Sequence, residues 1–255
     1  MPIQIPSGLV QAAKRKEVVL FAGAGISFEA LKVGGLELRD LVGSSIKEDY
    51  QTYDYASRSF EDVCDEYEII NGRTPLVGLL ANSIPQSAKP LEGHIAAVKS
   101  FRFIVTTNWD QLFEAAAKSV ENRYHVLSDE VDAPLFNYDN HNLLKIHGSI
   151  DRPSSLICTT EDFEGYADTH PNLLNRVAGL MDNYTVLFVG YGMRDEHLRR
   201  LFYQIKARNG KFARKHYIIG FYDEVRKLLL EGRGMYVINE DATVFLKELE
   251  NRINQ

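Results

Sequence analysis

The chain has 255 residues, a formal net charge of −6, 45% apolar and 25% charged residues, values of an ordinary globular protein that can bury a sizeable core as one α/β domain or as a core with an insertion. The acidic balance argues against a dedicated nucleic-acid binder, which carries a basic face. It leaves an anionic ligand open, because helix N-termini and loop amides hold phosphates without surplus Lys or Arg.

Two cysteines, Cys64 and Cys158, are too few for a four-cysteine zinc site or a disulfide framework and read as buried apolar thiols. No run approaches the ~20 apolar residues that span a bilayer, and Met1 to Lys16 lack the core of a signal peptide. A cytoplasmic protein with no membrane contact and no direct nucleic-acid binding is expected.

Glu17 to Ala22 (EVVLFA) is a β-rich run ending in Gly23-Ala24-Gly25, the pattern of a buried strand turning into a helix that starts near Gly25. From about residue 36 to 100 the rhythm changes. Helix-like apolar spacing (Phe60, Val63, Cys64, Tyr67, then Leu76, Leu79, Leu80) is broken by Asn71-Gly72, Pro75, Pro85 and Pro90, which reads as a small helical module inserted in the first crossover. Phe101 to Val105 is the second strand and leads through Thr106-Thr107-Asn108 into an amphipathic helix from Trp109 to about Val120. Asn142 to Ile146 runs into His147-Gly148, and residues 151–182 read as further helices beside the sheet. Thr185 to Val189 passes through Gly190-Tyr191-Gly192 into a helix near Arg194, with Asp195 as its cap. His216 to Gly220 precedes a helix over Asp223 to Leu230, Met235 to Ile238 supplies one more strand, and Ala242 to Ile253 a closing helix. This alternation predicts an α/β fold, a Rossmann-like parallel sheet with helices on both faces. The expected organisation is a single domain over 1–255, with the sheet core at about 14–35 and 101–255 and the helical module at about 36–100.

The candidate site residues sit in four loops just past apolar runs, where an open α/β sheet presents polar groups to a ligand. Gly23-Ala24-Gly25-Ile26-Ser27 lets backbone approach a phosphate closely, although the same pattern serves as a tight turn. Phe28 replaces the third glycine of the hydride-transfer fingerprint, and Glu37 and Asp40 fall in a helix-like context, not at a strand end. Asn108 and Asp110 read as helix caps or as ligand groups. His147 reads as a packed strand-end residue or as a general acid or base. The other six histidines, His94 among them, read as structural. Gly190-Tyr191-Gly192 is a tight strand exit or a backbone cradle for ribose or adenine.

In this order the four signatures resemble the sirtuin family, specifically its bacterial, zinc-free, NAD-consuming branch. The resemblance runs from about residue 17 to about residue 200 and includes the spacer Pro90-x-x-x-His94. It implies that Gly23, Ala24, Gly25 and Ser27 form a phosphate-binding loop. It implies that Thr107-Asn108-Trp109-Asp110 stands where the family has Gln-Asn-x-Asp, with Asn108 over the nicotinamide ribose and Asp110 near the carboxamide. It implies that His147 acts on the ribose hydroxyls and that Gly190, Tyr191 and Gly192 face the adenosine half. The chain departs from the protein deacylases of the family. It has no zinc ribbon, Leu31-Lys32-Val33-Gly34-Gly35-Leu36 replaces the Gly-Ile-Pro-Asp-Phe-Arg segment, and Thr107 replaces glutamine.

The resemblance therefore implies an NAD glycohydrolase of the bacterial antiphage-defence type, with Asn108, Asp110 and His147 catalytic, NAD as substrate and no metal. The competing readings are a non-catalytic NAD or ADP-ribose binding module that regulates a partner, a zinc-free NAD-dependent protein deacylase, and an ordinary oxidoreductase. An enzyme that drains NAD needs restraint. Because the mapped core uses nearly the whole chain, control is expected from a homo-oligomer, from a sensor or activator protein, or from a larger polypeptide.

Overall fold

Apolar runs become strands here because both of their faces are covered, so no alternation with polar residues is required. The computed structural model describes residues 3–192, 196–210 and 214–255. In it α1 (Ser7–Lys14) leads into β1 (Val18–Ala22), a 3-10 turn (Ala24–Ile26) and the short α2 (Phe28–Leu31). Four helices follow: α3 (Gly35–Asp49), α4 (Phe60–Asn71), α5 (Arg73–Ser83) and α6 (Glu92–Ser100). Then come β2 (Phe103–Thr106), α7 (Leu112–Ser119), β3 (Tyr124–Leu127), β4 (His141–Lys145), α8 (Thr160–Thr169) and α9 (Pro171–Asn183). The chain continues through β5 (Thr185–Val189), α10 (Glu196–Asn209), β6 (His216–Ile219), α11 (Glu224–Gly232), β7 (Met235–Ile238) and α12 (Ala242–Asn254). The helix start near Arg194 and the Asp195 cap lie outside the described residues.

The seven strands pair in parallel in the order β3-β4-β2-β1-β5-β6-β7, the Rossmann-like α/β sheet that the alternation predicts. The chain leaves β1 towards one edge and returns on its other side as β5, in register at Leu20 and Leu187. The carboxyl ends of β1 and β5 thus form the topological switch point where such sheets bind ligands.

Successive β1 residues divide between two cores. Val18, Leu20 and Ala22 pack with Leu9 of α1, Ala97 of α6, Phe113 of α7 and Phe245 of α12. Val19 and Phe21 pack on the other face with Tyr166 of α8, Val177 of α9 and Phe202 of α10. A third cluster joins Val42, Val63, Cys64, Leu76 and Leu80 from α3–α5 to Trp109, Leu112, Ile150 and Cys158. The helical stretch is therefore seated on the segments that follow β2 and β4. Cys64 and Cys158 are free and buried, as their reading as apolar thiols expects.

Three local features differ from the sequence reading. β3 was not evident, because this edge strand pairs only with β4 and its first three residues are half-buried, which blurs the apolar pattern. α1 is an additional helix, held by Leu9, Ala12 and Ala13. The helix expected near Gly25 is a 3-10 turn followed by the four residues of α2, which stops where Lys32 adopts a left-handed φ of 55°. Among the described residues no helix is long and apolar enough to cross a membrane.

Candidate active site

A cavity of about 970 Å³ opens between the helical stretch and the carboxyl ends of β1, β2 and β4, within the size range of small-molecule sites. Its wall brings together Ala24, Ser27, Thr107, Asn108, Asp110 and His147, from three loops far apart in sequence. Arg39 and Arg58 of the helical stretch also line it, and both are paired, Arg39 with Asp40 and Arg58 with Glu66. Neither arginine stands in a strand-end motif, and their approach to the strand ends depends on how the helices fold back.

The loop after β2 is held from within. The Asn108 amide donates to Thr106 Oγ1 at 3.0 Å, and the Asn108 Nδ2 donates to Ser27 Oγ at 3.0 Å. Beneath Ser27 lies His94, fully buried and in edge contact with Phe113. The Leu91 amide donates to His94 Nδ1 at 3.2 Å, which puts the ring proton on Nε2, 3.2 Å from Ser27 Oγ. Burial pushes the His94 pKa down to about 4, against an opposing pull from the Asp110 carboxylate, so the neutral tautomer is the one this network needs. Ser27 Oγ then accepts two hydrogen bonds and keeps its own proton to donate.

Asn108 Oδ1 is buried and has no hydrogen-bond partner. An orphan acceptor of this kind costs about 1–3 kcal/mol and calls for an explanation; the residue that carries it lines the cavity. Asp110, also buried, accepts from the Leu112 amide at 2.9 Å through Oδ1. The capping role read from the sequence is present, and the same side chain borders the cavity.

His147 stands at the end of β4 with its ring edge-on to Phe163, centroids 5.0 Å apart. Its carbonyl accepts from the Ile157 amide at 3.0 Å. The turn behind it requires Gly148, whose φ is +85° and where an added Cβ would lie 2.1 Å from the Ser155 carbonyl oxygen.

The glycine loops meet each other. The Gly23 amide donates to the Val189 carbonyl at 3.0 Å and the Gly25 amide to the Gly190 carbonyl at 2.9 Å. A Cβ on Gly190 would come within 2.3 Å of the Ile26 nitrogen. Small size here lets the β1 and β5 loops touch, which carries Ala24 and Ser27 to the cavity wall. Gly23, Gly25, Gly190, Tyr191 and Gly192 do not line that cavity. The Tyr191 ring packs in the core 4.8 Å from Phe21, and the Gly192 carbonyl accepts from Arg226 at 2.9 Å.

Comparison with known proteins shows the family to which this chain belongs. A family model described as SIR2-like domain matches residues 102–238, more than half of the chain. The protein belongs to the SIR2-like domain family. Two curated relatives are "NAD(+) hydrolase ThsA" of Enterococcus faecium, 27% identical over 236 residues, and "Defense-associated sirtuin 2" of Bacillus subtilis, 21% identical over 198 residues. These matches take in 91% and 76% of this chain but 47% and 20% of the relatives, so the chain spans about half of their length or less. Among solved structures, a SIR2 homolog–NAD complex superimposes with a TM-score of 0.63 at 14% identity, covering 99% of this chain and 95% of that one. At that identity the likeness speaks to the fold.

Within this SIR2-like domain, two residues stand out that the reading of the loops did not rank. His94, read as structural, touches the Ser27–Asn108 pair, and its one advance signal was the Pro90-x-x-x-His94 spacing. Lys145 lies in the run that leads into His147-Gly148 yet is fully buried. Among the described residues no group of three or more His, Cys, Asp or Glu side chains is arranged to hold a metal ion.

Proposed function

We propose that this SIR2-like domain is an NAD glycohydrolase that cleaves NAD to nicotinamide and ADP-ribose as part of an antiphage effector. The observation that carries the reading is Asn108, which has a buried Oδ1 without a hydrogen-bond partner and lines a cavity shared with Asp110 and His147. The names of the relatives, an NAD(+) hydrolase and a defence-associated sirtuin, support the substrate and the setting.

Breaking the nicotinamide–ribose bond releases a neutral pyridine and leaves oxocarbenium-like charge on the sugar, so the leaving group needs no proton. Catalysis then reduces to holding the ribose, stabilising the charge and placing a water. Asn108 Oδ1 accepts from a ribose hydroxyl or from that water, and Asp110 orients the nicotinamide carboxamide. His147 takes the proton released as the water oxygen bonds to the anomeric carbon. Restraint comes from self-assembly or from an activating partner, which makes turnover dependent on protein concentration or on that partner.

The test is NAD turnover by purified protein over a concentration series, with NAD binding measured on the same samples and Asn108→Ala and His147→Ala alongside. Each variant is expected to lose ~10²-fold in turnover while remaining folded. Wild-type rates in both would remove these residues from the chemistry, and binding without turnover at any concentration would favour an NAD-binding regulator.

A further inference from the structure

Lys145 closes β4 with its side chain fully buried, a position that lysine occupies only when paired. Its ammonium lies 2.7 Å from the Asp110 carbonyl oxygen, 3.2 Å from that of Trp109, 2.6 Å from Ser149 Oγ and 2.8 Å from Glu114 Oε1. Trp109 and Asp110 belong to the loop after β2, Ser149 to the loop after β4, and Glu114 to α7. One side chain therefore ties together the segments that carry Asn108, Asp110 and His147. The Ile150 amide adds a further tie between the loops, donating to the same Trp109 carbonyl at 3.0 Å. Glu114 pairs with the ammonium.

We propose that Lys145 is the positioning residue of this site, its ammonium holding the 108–110 loop against the 147–149 loop so that the cavity-facing groups keep one arrangement. The inference deepens the NAD-cleaving reading and rests on it. Two backbone carbonyls and a hydroxyl converge on the ammonium, so removing it leaves the Asp110 carbonyl without that partner in the interior and the loops joined mainly by the Ile150–Trp109 bond. A displacement of 1 Å at a reacting centre costs up to ~10²-fold in rate. Lys145 does not line the cavity, so its effect falls on kcat more than on binding.

The experiment compares wild type with Lys145→Met, which keeps chain length and loses the charge, with Lys145→Arg, and with the double variant Lys145→Met/Glu114→Gln, which removes the unpaired carboxylate that the single change would strand. NAD turnover, KM, thermal stability and amide hydrogen exchange are read on each. The expected result is a fall in kcat of at least ~10-fold with KM within ~3-fold, faster exchange confined to the 108–111 and 147–150 amides, and partial recovery in Lys145→Arg. The double variant retaining full kcat, or exchange rising evenly across the sheet, would reduce Lys145 to a stability residue and overturn the proposal. If wild type fails to cleave NAD, the hydrolase reading falls by itself. Hydrogen exchange then decides the clamp, with local loosening supporting it and unchanged loops overturning it.

Discussion

Asn108 Nδ2 donates to Ser27 Oγ across 3.0 Å, joining residues 81 positions apart. Because His94 Nε2 approaches the same oxygen at 3.2 Å, one hydroxyl organises two side chains from two other segments. The bond also occupies the amide nitrogen of Asn108, so the end left without a partner is the oxygen.

Ser27→Ala removes the acceptor that both donors share. Two buried N–H groups are left unpaired, at an expected cost of about 1–3 kcal/mol, and the Asn108 amide loses its orientation. Urea denaturation is expected to show the stability loss, and NAD turnover is expected to fall ~10-fold or more. A fully stable, fully active Ser27→Ala protein would contradict the network.

The buried neutral His94 sets an acid limb on stability. The unfolded chain takes up a proton near the ordinary value of 6.5, whereas the folded protein resists until about pH 4. The unfolded state therefore binds more protons between these values, and stability rises with pH there. The contribution is complete above about pH 6.5 and is lost as pH falls towards 4, by about 3 kcal/mol over the window. Denaturation midpoints measured from pH 7 to pH 4 are expected to fall less steeply in His94→Gln than in wild type.

Gly148→Ala tests the turn that carries His147. Its φ of +85° and the 2.1 Å approach of a Cβ to the Ser155 carbonyl oxygen leave no unstrained place for a methyl group. A loss of about 2 kcal/mol or more is expected, visible as a lower Tm, together with a fall in turnover as the His147 loop shifts. Unchanged stability would mean that the turn relaxes freely.

Trp109 is the sole tryptophan and lines the cavity beside Phe60, with ring centroids 6.0 Å apart. Its emission reports on this wall alone. Titration with NAD or ADP-ribose is expected to change that emission saturably, and Trp109→Phe is expected to abolish the signal. A flat titration alongside binding detected by calorimetry would move the ligand to another part of the protein.

The sheet was legible because its central strands are buried on both faces. Val18–Ala22 and Thr185–Val189 are continuous apolar runs for that reason, and the loops that follow them declare themselves by glycine, asparagine and histidine. The edge strand Tyr124–Leu127 was not legible, since pairing on one side with half-exposed residues leaves no clean period. Tyr191 shows the limit within a motif. Its place in a glycine-rich strand exit is plain from the chain, whereas the packing of its ring against Phe21 and Phe188 is not.

By itself the sequence determined the parallel α/β fold and the loops that offer Ser27, Asn108, Asp110 and His147, because burial pattern and strand-end position are local properties of the chain. Tertiary structure alone decided that the glycines of two loops pack on one another and that Ser27 is gripped by His94. It also decided that Asn108 keeps an unpaired oxygen and that Lys145 sits beneath the two loops. These are relations between segments tens of residues apart, and a hydrogen bond or a buried charge takes its meaning from the partner that folding brings to it.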